Sequence, residues 1–225
     1  MNAPSGRADL LKQRICTAAS KLFIRRGFGA TSMQDIADAL RISRPKLYYY
    51  FRDKAVILET LVSNVPVEAH RRAQAVLSAE GLDAPQKLRQ LILQHADLIL
   101  ARPLEFRLLD MSLEHLPRGM KARAQKAKRG LLEAFTQVIR EGIEAEKFRP
   151  VDARVAAFAM IGMCNWTAAW YRREGRLRAE EICKVLADLG ISAVEKGKGA
   201  ARTNGMHHSL KMLREGIAGL EAAIG

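Results

Sequence analysis

Apolar residues recur at three- and four-residue spacings along almost the whole chain, and strictly alternating runs are nearly absent, so the pattern predicts helices from end to end. Leu10, Leu11, Ile15, Ala18, Ala19, Leu22 and Phe23 form one stripe, stopped by Gly27 and Gly29. Thr31 or Ser32 then caps a short helix, Met33 to Leu40, with Asp35 near its positive end. Ser43 caps the next, and Pro45 sits in its first turn, where a missing N–H does little harm. Asp53 opens a long helix toward Ala79. Asp83-Ala84-Pro85 starts another to about Ala101, and Pro103 a short one to about Glu114. Beyond Pro117 and Gly119 a long helix covers Lys121 to Glu146. Pro150-Val151-Asp152 begins a small-residue helix that ends near Gly175, and Glu180 and Glu181 begin one that ends near Glu195. Residues 196–205 read as a linker. Met206, Leu210, Leu213, Ile217, Leu220 and Ile224 then repeat 4-3-4-3-4, a narrow seam that packs on its own body or on a partner's. The fold class is all-α, divided as 1–54, 55–195 and 196–225.

Composition sets outer limits. The 225 residues are 48% hydrophobic, enough for a core, and 16 Gly with 7 Pro exclude collagen-like and low-complexity chains. No apolar run approaches the ~18 residues of a membrane span, and residues 1–14 lack a secretory h-region. Cys16, Cys164 and Cys183 are odd in number and far apart, which fits reduced thiols in a cytoplasmic protein. Charge changes the picture more. The net charge is +13, and residues 1–54 hold 11 Lys/Arg against 4 Asp/Glu. Basic charge concentrated in this way is the footprint of a polyanion, nucleic acid or anionic membrane, and charge alone does not choose.

Two short helices after a longer one do choose. In a helix-turn-helix the second helix enters the major groove while the first crosses the backbone. Ile36, Ala37, Leu40, Ile42 and Leu47 form its small core, and Arg44, Lys46, Tyr48 and Tyr49 are left on the outer face of the second helix. The segments Thr31-Ser32-Met33-Gln34-Asp35-Ile36-Ala37 and Ile42-Ser43-Arg44-Pro45-Lys46-Leu47-Tyr48-Tyr49-Tyr50-Phe51-Arg52-Asp53-Lys54 resemble the TetR family of bacterial transcriptional regulators. The resemblance implies that Thr31, Ser43, Tyr48, Tyr49 and Lys54 anchor phosphates, while Arg44, Pro45 and Lys46 face bases, and Ser32 is also placed at the DNA. It implies a dimer on a pseudo-palindromic double-stranded operator. Two positions depart from the pattern. Arg41 stands where Gly or Asn commonly makes the turn, which predicts an unusual backbone angle. Lys46 stands where Thr is frequent, which alters the preferred bases.

The resemblance further implies a helical second domain that dimerises and encloses a ligand. The helices 153–174 and 179–195 are then the dimer pair, through Ala156, Ala157, Ala159, Gly162, Ala168 and Ala169 and the stripe Ile182, Val185, Leu186 and Leu189. The stretch from Gly162 to Gly175 is similar to a branch that responds to acyl-CoA thioesters. Trp166 and Trp170, four apart, either line an acyl or adenine slot or are core or dimer contacts, with Arg173 meeting phosphates in the first case. His95, Phe106, Leu109, Met111 and Phe135 supply the other pocket walls. The acid-free run Arg118, Lys121, Arg123, Lys126, Lys128 and Arg129 is a solvated face or a landing for a phosphate tail. No metal-ligand spacing, P-loop or nucleophile elbow is present, so neither enzyme nor cofactor is expected. The function expected is a repressor released by a hydrophobic or acyl-CoA-type molecule. A sequence-indifferent architectural DNA-binding protein is the alternative.

Overall fold

The computed structural model describes residues 6–196. The linker and the 206–224 seam lie outside the described residues. Ten α-helices and one 3-10 turn account for most of the described chain: α1 (Gly6–Arg26), α2 (Met33–Leu40), α3 (Arg44–Tyr50), α4 (Lys54–Val62), α5 (Val65–Leu77), α6 (Ala84–Ala101), α7 (Pro103–Ser112), the turn Leu113–His115, α8 (Arg118–Glu144), α9 (Ala153–Trp170) and α10 (Ala179–Val194).

Caps fix most helix starts where polar residues precede apolar runs. Ser32 and Asp35 form a reciprocal capping box on α2, and Asp83 and Gln86 form another on α6. Asp53 and Asp152 accept from the amides of Val56 and Val155. Ser43 occupies the N-cap position of α3 but makes no side-chain cap bond, contrary to the capping role expected of it. The helix expected over 53–79 is two helices. Pro66 has no amide to give the carbonyl four residues back, and the chain turns at Ser63 and Asn64 between α4 and α5. The helix expected to reach Gly175 ends at Trp170, where the extended Tyr171 follows.

Within residues 6–51, Ile15, Ala19, Phe23, Ile36, Ala37 and Leu47 are buried together, and α2 packs on both α1 and α3. In the larger body, α6 is the central helix and is packed by α5, α8, α9 and α10. The two regions meet through α7, which contacts α1 and α4 on one side and α9 on the other. A stacked pair, Phe28 and His115 with ring centroids 5.0 Å apart, adds to that junction. Beyond α10, a single antiparallel bridge ties Phe148 to Glu195. Cys164 and Cys183 are buried, and burial raises their thiols to about 12 and about 11, so both are inert packing groups.

Candidate nucleic-acid interface and effector cavity

The outer face of α3 carries Arg44, Pro45, Lys46, Tyr48 and Tyr49, all exposed, with Tyr49 84% so. Leu47 is fully buried and sets which face points out, while Tyr50 is half-buried under the edge of Tyr49. Arg44 lies over the Tyr48 ring at 5.5 Å, so the planar guanidinium is held in place by stacking. A shallow groove of about 380 Å³ runs between the start of α2 and α3, with Ser32, Gln34, Arg44 and Tyr48 among its walls. Gln34 was not anticipated there, although its place on the first turn beside Ser32 is the signal that would have found it. Arg41 has φ 54° and ψ 44°, the left-handed conformation its position demanded.

Two of the expected phosphate anchors are committed elsewhere. Lys54 Nζ donates to the carbonyls of Phe28, Gly29 and Thr31 at 2.8, 3.0 and 2.8 Å, so all three ammonium protons are engaged. Its charge also sits 4.7 Å above the Phe28 ring. Lys54 therefore pins the α1–α2 loop instead of reaching outward. Thr31 is buried, and its hydroxyl donates to the Gly27 carbonyl. Ser32 remains exposed, but its hydroxyl serves the α2 cap, where Asp35 is held below the usual carboxylate range mainly by that hydroxyl.

The body contains a cavity of about 370 Å³ between α5, α6, α7, α8 and α9. Its walls are mostly apolar: Pro66, Ala69, Phe106, Leu109, Leu131, Leu132, Phe158 and Ile161. His95 and Asn165 are the polar pair inside, with His95 Nε2 3.0 Å from Asn165 Oδ1. Burial lowers the His95 imidazole to about 4, so it is neutral near pH 7 and donates from Nε2. Its Nδ1 is buried with no partner. Lys128, Arg129 and Arg154 stand at the mouth against one acid, Asp110, which pairs with Lys128 at 2.7 Å. A shallower groove of about 190 Å³ adjoins the cavity through the shared Phe106, Asp110 and Asn165 and continues to Arg107, Met111 and Trp166.

His95, Phe106 and Leu109 thus line the cavity as expected, whereas five other expected residues do not. Phe135 is fully buried behind the His95 ring, with centroids 6.3 Å apart. Met111 is exposed on the adjoining groove. Trp166 and Trp170 are 69% and 46% exposed on the outer side of α9, neither in the cavity nor in the core. Arg173 follows the end of α9 on the surface, with Nη2 3.5 Å from the Ala101 carbonyl. Sequence reasoning missed Arg154, Phe158 and Asn165 as lining residues, whereas Lys128 and Arg129 belong to the acid-free run read as a solvated face or a landing for a phosphate tail. The spacing 154, 158, 161, 162 and 165 marks one face of α9, and that periodicity was the available signal.

Residues 15–61 match the family model for bacterial regulatory proteins of the tetR family, and residues 81–194 match that for the tetracyclin repressor-like C-terminal domain. The chain belongs to the TetR family. It is a DNA-binding transcriptional repressor of that family and not an enzyme. The transcriptional repressor KstR2 of Mycolicibacterium smegmatis is 23% identical over 205 residues, which cover 87% of this chain and 94% of that protein. The TetR-family regulator PfmR of Thermus thermophilus superposes with a TM-score of 0.68 at 29% identity, over 81% of this chain and all of that one. AibR, solved with isovaleryl coenzyme A and operator DNA, has the same fold at TM-score 0.63 and 23% identity, over 79% and 96% of the two chains. The TetR-family assignment places α2 and α3 as the helix-turn-helix. Among the described residues, no helix is long and apolar enough to cross a membrane.

Proposed function

We propose that this TetR-family chain is a homodimeric repressor that leaves its operator when a hydrophobic, acyl-CoA-type molecule enters the body, with residues 1–54 reading DNA and 55–195 binding ligand and partner. The observation that carries the reading is the cavity itself: apolar walls, one internal polar pair, and a mouth where three cations face one acid. Such a site takes a molecule with an apolar tail and an anionic end. AibR, whose structure contains isovaleryl coenzyme A, supports that ligand class by likeness. The two tryptophans lie outside the cavity, so the adenine slot once open to them has no support. The apolar faces of α9 and α10 (Val155, Phe158, Trp166, Trp170, Val185 and Leu189) are exposed and suit a second copy.

α7 supplies the route between the sites. Phe106, Leu109 and Asp110 line the cavity from α7, and the same helix packs on α1 and α4 and leads into His115 on Phe28. A ligand anion that competes with Asp110 for Lys128 frees α7 to move, and the break at Pro66 lets α4 follow without α5. Coupling of ~1–3 kcal/mol releases DNA roughly 5- to 150-fold.

The test is release of a duplex that the protein itself has selected from a random pool, followed by fluorescence anisotropy. A series of acyl-CoA thioesters and the matching free acids is titrated against the complex. Saturable release by thioesters supports the reading. Release by the free acids alone assigns a non-CoA hydrophobic ligand, and failure to select any duplex over random DNA assigns the architectural alternative.

A further inference from the structure

His95 and Asn165 are the two uncharged polar side chains in the wall of the cavity. The His95 ring is 5% exposed and is met edge-on by Phe106 and Phe135, with centroids 6.1 and 6.3 Å away. Its two nitrogens are unequal: Nε2 lies 3.0 Å from Asn165 Oδ1, and the buried Nδ1 has no partner. A neutral imidazole has one proton to place on either of them. On Nδ1 it would bury an N–H without an acceptor, at ~1–3 kcal/mol. On Nε2 it completes the bond to Asn165 and leaves only a lone pair unpaired, the less costly outcome. The same choice fixes the Asn165 carboxamide, with Oδ1 taken by His95 and the NH2 end turned away from the ring. Among the described residues Asn165 makes no other hydrogen bond, so both amide protons are unengaged.

Asn165 also stands at a boundary. With Phe106 and Asp110 it lines both the cavity and the adjoining groove, and Asp110 holds Lys128 at the mouth. We infer that Asn165, oriented by His95, donates from its amide N–H to the carbonyl oxygen that ends the apolar tail of the bound molecule, and so selects acyl compounds over alkyl ones. The inference rests on the ligand class proposed above. A carbonyl oxygen only accepts, and the NH2 end of the carboxamide only donates, so the two are complementary. A methylene in the same place would take water from the amide protons and return no bond. Its cost is a loss of affinity of at least ~10-fold. His95 is a positioning residue here. Without its Nε2–H the carboxamide is free to turn, and Oδ1 then faces a carbonyl oxygen that it repels.

The experiment compares decanoyl-CoA with S-decyl-CoA, the thioether in which a methylene replaces the carbonyl. Binding of each to the full chain is measured by isothermal titration calorimetry. The thioester is expected to bind at least ~10-fold more tightly, and the ratio should fall to about one in Asn165→Leu, which has no donor to lose. In His95→Phe the ratio should fall too, with the affinity for the thioether kept. A second measurement needs no variant. The carbonyl stretch of an isotope-labelled decanoyl-CoA, followed by infrared difference spectroscopy, should move to lower frequency when the wild-type protein binds it. Equal affinity for the two compounds, or a stretch that does not move, overturns the inference and leaves the proposed ligand class standing. A ratio that survives Asn165→Leu overturns it as well, and one that survives His95→Phe overturns the part given to His95. Binding of neither compound overturns both the inference and the ligand class.

Discussion

The helix-turn-helix head and the helical body solve opposite problems with the same secondary structure. The head must hold polar side chains outward from helices of seven and eight residues, too short to be stable alone. It does so with bonds specific to particular atoms: the Ser32–Asp35 box, Arg26 on Asp35 at 2.9 Å, and Lys54 on three loop carbonyls. The body has helices of up to 27 residues and a large apolar core, and can therefore leave a cavity in its middle. The head adds directed bonds to a small buried core, whereas the body relies mainly on the packing of a large one. A perturbation that matters in one region is of the wrong kind for the other.

The largest break in that contrast is Phe135→Ala. Removing a fully buried ring from the body is expected to cost about 3–5 kcal/mol, seen as a thermal midpoint lower by roughly 10 °C. A drop under about 3 °C would mean the cavity had collapsed onto the gap. The next effect is one of pH. The folded His95 sits near 4 against 6.5 when free, so its contribution is complete above pH 6.5 and is lost as pH falls toward 4, by up to ~3 kcal/mol. Glu68, held at about 2 by Arg71 and Arg72, loses its contribution only below about 4.5, so the two windows are separable. His95→Gln should flatten the midpoint between pH 6.5 and 4; parallel curves for the two proteins would reject the assignment.

Lys54→Met sharpens the comparison from the other side. Loss of three charge-assisted bonds is expected to destabilise by about 2 kcal/mol, while the slope of operator affinity against salt stays the same. A slope shallower by about one would put this ammonium on a phosphate after all. Tyr49→Ala is the converse variant: the thermal midpoint should hold within about 1 °C while operator affinity falls about tenfold. Equal losses in both would return the ring to a packing role. The smallest effect is Arg41→Gly, which relieves a left-handed arginine and is expected to raise the midpoint by about 2 °C.

The helices of the head were legible in the sequence, because the Ser32 cap, the turn at Arg41 and a buried Leu47 are local facts, although the cap expected of Ser43 is not made. Met33–Leu40 has the bounds its spacing predicts, and the Arg41 backbone has the angle expected of it. What failed there was the direction of individual polar groups. Lys54 lies more than twenty residues from its acceptors, and no local pattern records that contact. The body was legible as helices but not as a cavity. In the α10 stripe, Ile182 and Leu186 turn inward while Val185 and Leu189 stay exposed, a division set by where α6 packs. Trp166 and Trp170 stand outside the cavity and the core, on an outer face that leaves only the dimer-contact reading open, because a helix can bear apolar residues on two faces, one for its own core and one left outside. The Pro66 break was present in the chain, and its weight was underestimated beside a strong apolar run.

The neutral His95 in the cavity wall has one more consequence. A site without a fixed charge inside distinguishes molecules by how much water they shed there, and that quantity grows in steps. Each added methylene is worth about 0.8 kcal/mol, roughly fourfold in affinity, until the ~370 Å³ is full. Beyond that length the next carbon has nowhere apolar to go. Under the proposed function the cavity would then act as a ruler, with the cations at its mouth as the zero mark and the rings of Phe106 and Phe158 among the limits that set its range.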